Sequence, residues 1–133
     1  MNNLIVSGKR KAAIAKATIV GGNGKILINK REISSYSELL QLEANEPLII
    51  AKEVLGKLDF DIRVNVRGGG ISGQIQAARL AISKAIVAFT KNEEVRHAFL
   101  SYDRNLLVAD TRRKETRKPG DSKARAMRQT SFR

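Results

Sequence analysis

The sequence predicts an α+β domain built around one strand, one glycine hinge and one long helix. Phe60, Ile62, Val64 and Val66 alternate with Asp61, Arg63, Asn65 and Arg67, the period-two pattern of a half-buried strand. Gly68-Gly69-Gly70 ends that strand, because three glycines weaken pairing and open backbone angles closed to other residues. Beyond Ser72, read as an N-cap, apolar residues at Ile75, Ala78, Ile82, Ala85, Ile86 and Phe89 recur at spacings of three and four. That puts one apolar stripe on a helix of about five turns.

The other elements are read around this core. Lys9-Arg10-Lys11 opens the ordered part, and residues 12–20, rich in Ala, Ile, Thr and Val, read as a strand. Gly21-Gly22-Asn23-Gly24 contains the Asn-Gly pair that favours a type I′ hairpin. Residues 25–29 are then the returning strand, with Ile26 and Ile28 on one face. On this reading Lys9, Arg10, Lys11, Lys16, Lys25, Lys30 and Arg31 share a single hairpin and give it a basic rim.

Ser35-Tyr36-Ser37-Glu38 has capping-box spacing and predicts a short helix to about Leu42. Glu46-Pro47 predicts the start of a second helix, with Leu48, Ile49, Ile50, Val54 and Leu55 on its buried side and Gly56 as its stop. Residues 93–101 read as a short helix burying Val95 and Phe99, and Leu106-Leu107-Val108 as one more strand. Residues 111–133 differ in composition, with nine basic and two acidic residues and only Ala124, Ala126, Met127 and Phe132 apolar. Such a segment cannot bury enough surface to offset its chain entropy. The expected division is therefore a globular unit over 1–110 and an extended basic tail over 111–133.

Composition narrows the function. At 133 residues and 42% hydrophobic the chain suits one domain with a real core. No long apolar run suggests a membrane span, and residues 1–7 are too short and uncharged for a signal peptide, so a soluble, non-secreted protein is expected. Without cysteine and with His97 as the one histidine, neither a disulfide nor a thiolate or multi-histidine metal site is expected. The net charge of +12 is unevenly spread. Residues 1–31 carry seven bases and no acid, 32–100 are nearly balanced, and 101–133 hold ten bases against four acids. A near-neutral middle between two basic ends is the footprint of a protein that meets a polyanion.

Residues 66–74, Val-Arg-Gly-Gly-Gly-Ile-Ser-Gly-Gln, are the one stretch with the look of a phosphate loop. Amides at a helix N-terminus favour an anion, and bare glycines let a nucleic-acid backbone approach. A P-loop, however, needs Lys-Ser/Thr after its last glycine, and Gln74-Ile75 stands there. The spacing Gly68-x-Gly70-x-x-Gly73 fits a dinucleotide fingerprint, but Glu93 follows the helix instead of ending a second strand. No nucleotide cofactor is therefore expected, leaving a plain tight turn or an RNA-backbone contact. Arg79 and Gln74 are read either as solvated side chains or as further phosphate contacts. Asp59/Asp61 and Asp103/Asp110 are expected to form structural ion pairs, and His97 to sit on the surface. Aromatic residues are few and mostly core-like, so backbone and shape recognition of folded RNA is favoured over base stacking.

Four ordered motifs carry a family resemblance. Ser7-Gly8-Lys9-Arg10-Lys11-Ala12-Ala13-Ile14-Ala15-Lys16-Ala17, then Gly22-Asn23-Gly24-Lys25, then Gly68 to Gln74, then Tyr102-Asp103-Arg104-Asn105-Leu106-Leu107-Val108-Ala109-Asp110 with the Ser131-Phe132-Arg133 ending, closely resemble the family of the ninth protein of the small ribosomal subunit, in its archaeal and eukaryotic branch. The resemblance implies an α+β fold of the ribosomal "S-five domain two-like" type, a sheet packed against helices with a left-handed βαβ crossover. It implies no catalysis and no small-molecule substrate. The implied partners are small-subunit ribosomal RNA, peptidyl-site transfer RNA and neighbouring proteins of the subunit head. The RNA-binding residues so expected are Lys9, Arg10, Lys11, Lys16, Lys25, Arg67, Gly68, Gly69, Gly70, Gln74, Arg79, Arg104, Arg112, Arg113, Lys114, Arg117, Lys118, Lys123 and Arg125. The tail's end, carried here by Arg128, Gln129, Ser131 and Arg133, is expected near the anticodon stem-loop of the transfer RNA. Thr130 stands where this branch usually has Lys, and Phe132 where it usually has Tyr. Two readings from other classes are a small nucleotide-dependent enzyme using residues 68–74, and a free basic nucleic-acid-binding module.

Overall fold

The strand read from the Phe60 to Val66 alternation, β5 (Phe60–Arg67), is the middle strand of a five-stranded sheet in the computed structural model, which describes residues 3–132. The others are β1 (Leu4–Arg10), β2 (Ala13–Gly21), β3 (Ile26–Ile28) and β4 (Arg31–Glu32), in the order β1-β2-β5-β3-β4. Helices α1 (Glu38–Leu55), α2 (Ile71–Thr90) and α3 (Glu93–Tyr102) complete an α+β fold, the class the sequence predicts.

Every second residue of the sheet faces the helices. Phe60, Ile62, Val64 and Val66 are buried, as are Ala13, Ala15, Ala17 and Ile19 of β2 and Ile26 and Ile28 of β3. The alanines explain the blurred pattern of β2: α2 lies so close over β1 and β2 that small side chains suffice. At Gly8 the approach leaves no room for a side chain, since a Cβ there would stand 2.5 Å from the Ala77 carbonyl oxygen and 2.7 Å from the Ala81 nitrogen. Helix α2 is buried along the predicted stripe at Ile75, Ala78, Ile82, Ala85 and Ile86, while Phe89 is 37% exposed and meets Phe60 edge to face. Ala77, Leu80, Ala81 and Ser83 are buried as well, because α1 packs beside α2 while the sheet lies beneath it. Each fully buried isoleucine here contributes about 1.5–3 kcal/mol.

Several elements differ from the reading of the sequence. The fold opens at Leu4, not at Lys9, and β1 pairs antiparallel with β2 through a two-residue loop, Lys11-Ala12, with Lys11 at φ 51°. Strands β2 and β3 do not form a hairpin, because β5 lies between them, antiparallel to β2 and parallel to β3. The Asn-Gly turn is instead held by β5: Asp61 Oδ1 accepts from the Asn23 and Lys25 amides at 2.9 and 2.8 Å. Those bonds, that of Lys25 foremost, hold the Asp61 carboxyl below the usual carboxylate range against the opposing effect of burial. Asp61 thus serves backbone amides where an ion pair is expected. The two-residue loop with both φ values positive is Asn29-Lys30, at 51° and 65°, between β3 and β4.

A single helix, α1, replaces the two expected between Ser35 and Gly56. Its N-cap is Ser37, Gly56 at φ 77° ends it as predicted, and Pro47 lies inside it. Pro47 forfeits one amide hydrogen bond, but Ala44, Pro47 and Ala51 form one continuous buried stripe that keeps the helix on its support. Ile49, expected to be buried, is 54% exposed. Helix α2 begins at Ile71 with Gly70 as N-cap, directly after the positive φ of Gly68 and Gly69, so Ser72 is inside the helix. Helix α3 is as expected, with Val95 and Phe99 fully buried and His97 exposed. Leu106 is buried in a short 3-10 turn, Arg104–Leu106, where a strand is expected: Asp103 accepts the Asn105 amide and tightens the chain. From residue 107 to 132 no helix or strand forms.

Candidate nucleic-acid interface

With all three helices on one side, the other face of the sheet lies open. The alternation that buries Val64 and Val66 turns Arg63, Asn65 and Arg67 outward. Register then aligns them: Lys9 pairs with Ile14 and Ile14 with Arg67; Ser7 with Lys16 and Lys16 with Asn65; Thr18 with Arg63. The open face thereby gathers Lys9, Lys16, Arg63 and Arg67 around Ile14, Asn65 and Thr18. A shallow basin at one end is lined by Lys16, Lys30, Asn65, Arg67 and Gly68. Arg63, Asn65 and Lys30 are absent from the RNA-binding residues expected from the sequence, although Lys30 is read there as part of a basic rim and the alternation that places Arg67 places Arg63 and Asn65 equally.

The glycine turn closes this end of the face. Gly68 and Gly69 adopt φ 80° and 66°, and a Cβ on Gly68 would lie 2.6 Å from the Ala12 carbonyl oxygen. Glycine is thus required both by conformation and by the β1–β2 loop pressed against it. Gln74 is turned inward on this loop, its Nε2 donating to the Gly68 carbonyl at 3.2 Å. No side chain caps α2 at Gly70.

At the neighbouring corner the root of the tail meets β1. Arg10 points to the helix side, its Nε donating to Gln76 Oε1 at 2.9 Å and its Nη1 3.3 Å from Asp110 Oδ2. Asp110 also accepts from Arg112, through Nη2 at 2.7 Å and through the amide at 3.0 Å. The Arg112 guanidinium and amide, with Arg10 adding its charge, hold the Asp110 carboxyl well below the usual range. This one carboxylate brings Arg112, Arg113 and Lys114 against Lys9 and Lys11, around a hollow floored by Ile14. The corner stays strongly positive, because the one acid there is already shared between two arginines.

Other expected contacts fall elsewhere. Lys25 lies at the far end of β5, beside Asp61. Arg79 is no solvated charge: its guanidinium pairs with Glu46 of α1 and, at 3.3 Å, with Asp103 after α3, tying three helices together. Arg104 is exposed beside that cluster. In the tail, Arg125 grips Glu115 at 2.7 Å and Arg128 lies 3.6 Å from Asp121, while Arg117, Lys118, Lys123, Gln129 and Ser131 are exposed. Arg133 lies outside the described residues.

The chemistry available is electrostatic. Among the described residues no group of three His, Cys, Asp or Glu could hold a metal ion, and no helix is long and apolar enough to cross a membrane. After β5 and α2 the chain enters α3, so the second parallel strand of a dinucleotide unit does not follow.

Comparison with known proteins gives the family. Residues 8–133 match the model of the family described as ribosomal protein S9/S16. The chain is 48% identical over 129 residues to the small ribosomal subunit protein uS9 of Methanococcus vannielii, covering 95% of each. The protein of the same name from Methanococcus maripaludis is also 48% identical, with the same coverage. The archaeal-type branch read from the motifs fits these relatives. The chain therefore belongs to the ribosomal protein S9/S16 family, a structural and non-enzymatic family.

Proposed function

We propose that this chain is a structural constituent of the small ribosomal subunit, in the cytoplasmic ribosome, and that it binds ribosomal RNA in the subunit head. The observation that carries this reading is the open sheet face, where Lys9, Lys16, Arg63 and Arg67 converge beside a glycine turn and run on into the basic root of the tail. Lys9, Lys16 and Arg67 gather at one end of this face, away from Glu32 at its β4 edge, and suit a phosphate backbone. The turn at Gly68 to Gly70 adds a place where a backbone can come close without meeting side chains. Residues 1–110 form the RNA-binding unit and residues 111–133 the basic tail. The tail lays Arg112, Arg113, Lys114, Arg117, Lys118 and Lys123 along RNA, and brings Arg128, Gln129, Ser131 and Arg133 toward the anticodon stem-loop of peptidyl-site transfer RNA. Arg10 and Arg79 are spent on internal pairs and act by shaping the fold.

A tagged chain run on a sucrose gradient with cell extract tests this. Co-sedimentation with the small subunit at high magnesium and after a salt wash is expected. A chain that stays at the top of the gradient would show a free basic module. Saturable binding of a mononucleotide at physiological salt would instead favour the loop at residues 68–74 as an enzyme site.

A further inference from the structure

The basic sheet face has an opposite in the outward side of α1. Ala44, Pro47 and Ala51 turn one side of that helix to the core, which leaves Leu42, Ile49 and Glu53 at the centre of the other, flanked by Glu38 and Leu39. Leu39 is 77% exposed, Leu42 58% and Ile49 54%. A single exposed leucine is ordinary, but three large apolar residues along one helix face form a stripe. Its charge is reversed from that of the sheet face: Glu38 and Glu53 are exposed on it against Lys52, while Glu46 is taken up by Arg79, in a chain of net charge +12.

That sign decides the occupant. A phosphate backbone would meet Glu38 and Glu53 beside apolar side chains, which repels it and satisfies nothing. A second copy docking by the same face would set glutamates against glutamates, since a two-fold interface presents the same patch from both sides. What fits is an apolar surface edged with cations, where burial supplies the energy and the glutamates fix the register. We propose that the outward face of α1 is a docking surface for a neighbouring subunit protein, one that presents Lys or Arg around apolar residues. This rests on the small-subunit reading above and gives the molecule two sides, sheet to RNA and α1 to protein.

The test places benzoylphenylalanine at Leu42 of the tagged full-length chain, and at Ile14 as the sheet-side comparison. Assembled small subunits are isolated, irradiated, and the cross-linked material identified by mass spectrometry. From Leu42 the expected product is a protein whose cross-linked segment is rich in Lys or Arg; from Ile14 it is RNA. Ile49→Lys, a change at an exposed position, should leave the melting temperature and incorporation unchanged while lowering the Leu42 cross-link by about tenfold. A Leu42 cross-link to RNA, to a second copy or to an acidic segment, no cross-link at all, or a yield indifferent to Ile49→Lys overturns the proposal. Failure of the unsubstituted chain to co-sediment removes the small-subunit reading and this proposal together. Co-sedimentation with any of those Leu42 results removes this proposal alone.

Discussion

Nη1 of Arg10 stands 3.3 Å from Oδ2 of Asp110, so the first strand of the sheet holds the last residue before the tail. The point at which the chain leaves the folded unit is therefore tied to β1. Asp110→Asn keeps the shape of the side chain and removes the charge that Arg10 and Arg112 share. The expected result is severalfold faster tryptic cleavage after Arg112 and Arg113, with the melting transition little changed.

The same latch has a predictable pH dependence. The Asp110 carboxyl is held below its ordinary value, first by Arg112 and then by Arg10. A depressed carboxylate stabilises the folded arrangement fully above its unfolded pKa and loses that effect as pH falls through the folded one. The latch should thus be complete from neutral pH down to about pH 4 and open only in stronger acid. The Asp110 carboxyl carbon shift, followed by NMR titration, should stay flat over the whole upper range; a midpoint near the ordinary carboxylate value would show that the pairing does not persist in solution.

Gly8 leaves no room for a Cβ beneath α2, and the nearest atoms it would meet belong to the α2 backbone. A flexible side chain could step aside, but a helical carbonyl and amide cannot. Gly8→Ala should therefore destabilise the fold by about 1–3 kcal/mol, the usual cost of overpacking. Thermal or denaturant unfolding measures it, and an unchanged transition would mean that α2 rides higher over β1 in solution.

How much of this was legible in the sequence depends on whether a signal was local. The β5 alternation and the α2 stripe were, since each element's period is imposed by one buried face. Strand β1 was not, because its inward position at Gly8 has no side chain to mark it and Ile5, facing outward, is 66% exposed. Asn23-Gly24 is a turn signal, but a turn does not say which strand lies beside the next one; here β5, far along the chain, enters between β2 and β3. Pro47 reads as a helix start by preference, yet flanking buried alanines outweigh the loss of one hydrogen bond. At the site the charges were visible and their partners were not. Nothing near Arg10 or Arg79 in the chain announces Asp110, Glu46 or Asp103.

These pairings change which residues should govern RNA affinity. Lys9, Lys16 and Arg67 face outward from the sheet, whereas Arg10 is committed to Asp110 and Gln76. Replacing Lys9, Lys16 and Arg67 by Ala should flatten the salt dependence of RNA binding by roughly two to three units of log K per log salt, at about 0.7–0.9 for each phosphate no longer neutralised. Arg10→Ala should leave that slope nearly unchanged. Filter binding over a salt series separates the two, and equal slopes for the triple variant and the parent would mean that the open sheet face is turned to solvent.

The tail's last residues pose the sharpest functional question. Residues 111–133 carry nine bases, and deletion of residues 129–133 removes one of them, so most of the charge available to RNA remains. Of the retained cations, Arg112, Arg125 and Arg128 are already paired with Asp110, Glu115 and Asp121, which leaves Arg113, Lys114, Arg117, Lys118 and Lys123 as the cations available to ribosomal RNA. Folding and subunit assembly should accordingly survive the deletion. At the tip a guanidinium fork can grip a phosphate bidentately, whereas a terminal carboxylate repels one, so any contribution there comes from the fork. Loss of one or two partly solvated charge-assisted bonds should weaken peptidyl-site transfer RNA binding by ~1 kcal/mol. Filter binding of transfer RNA to purified small subunits, with and without the last five residues, measures the difference. Equal affinities would leave the tail as a cement for ribosomal RNA with no part in holding the transfer RNA.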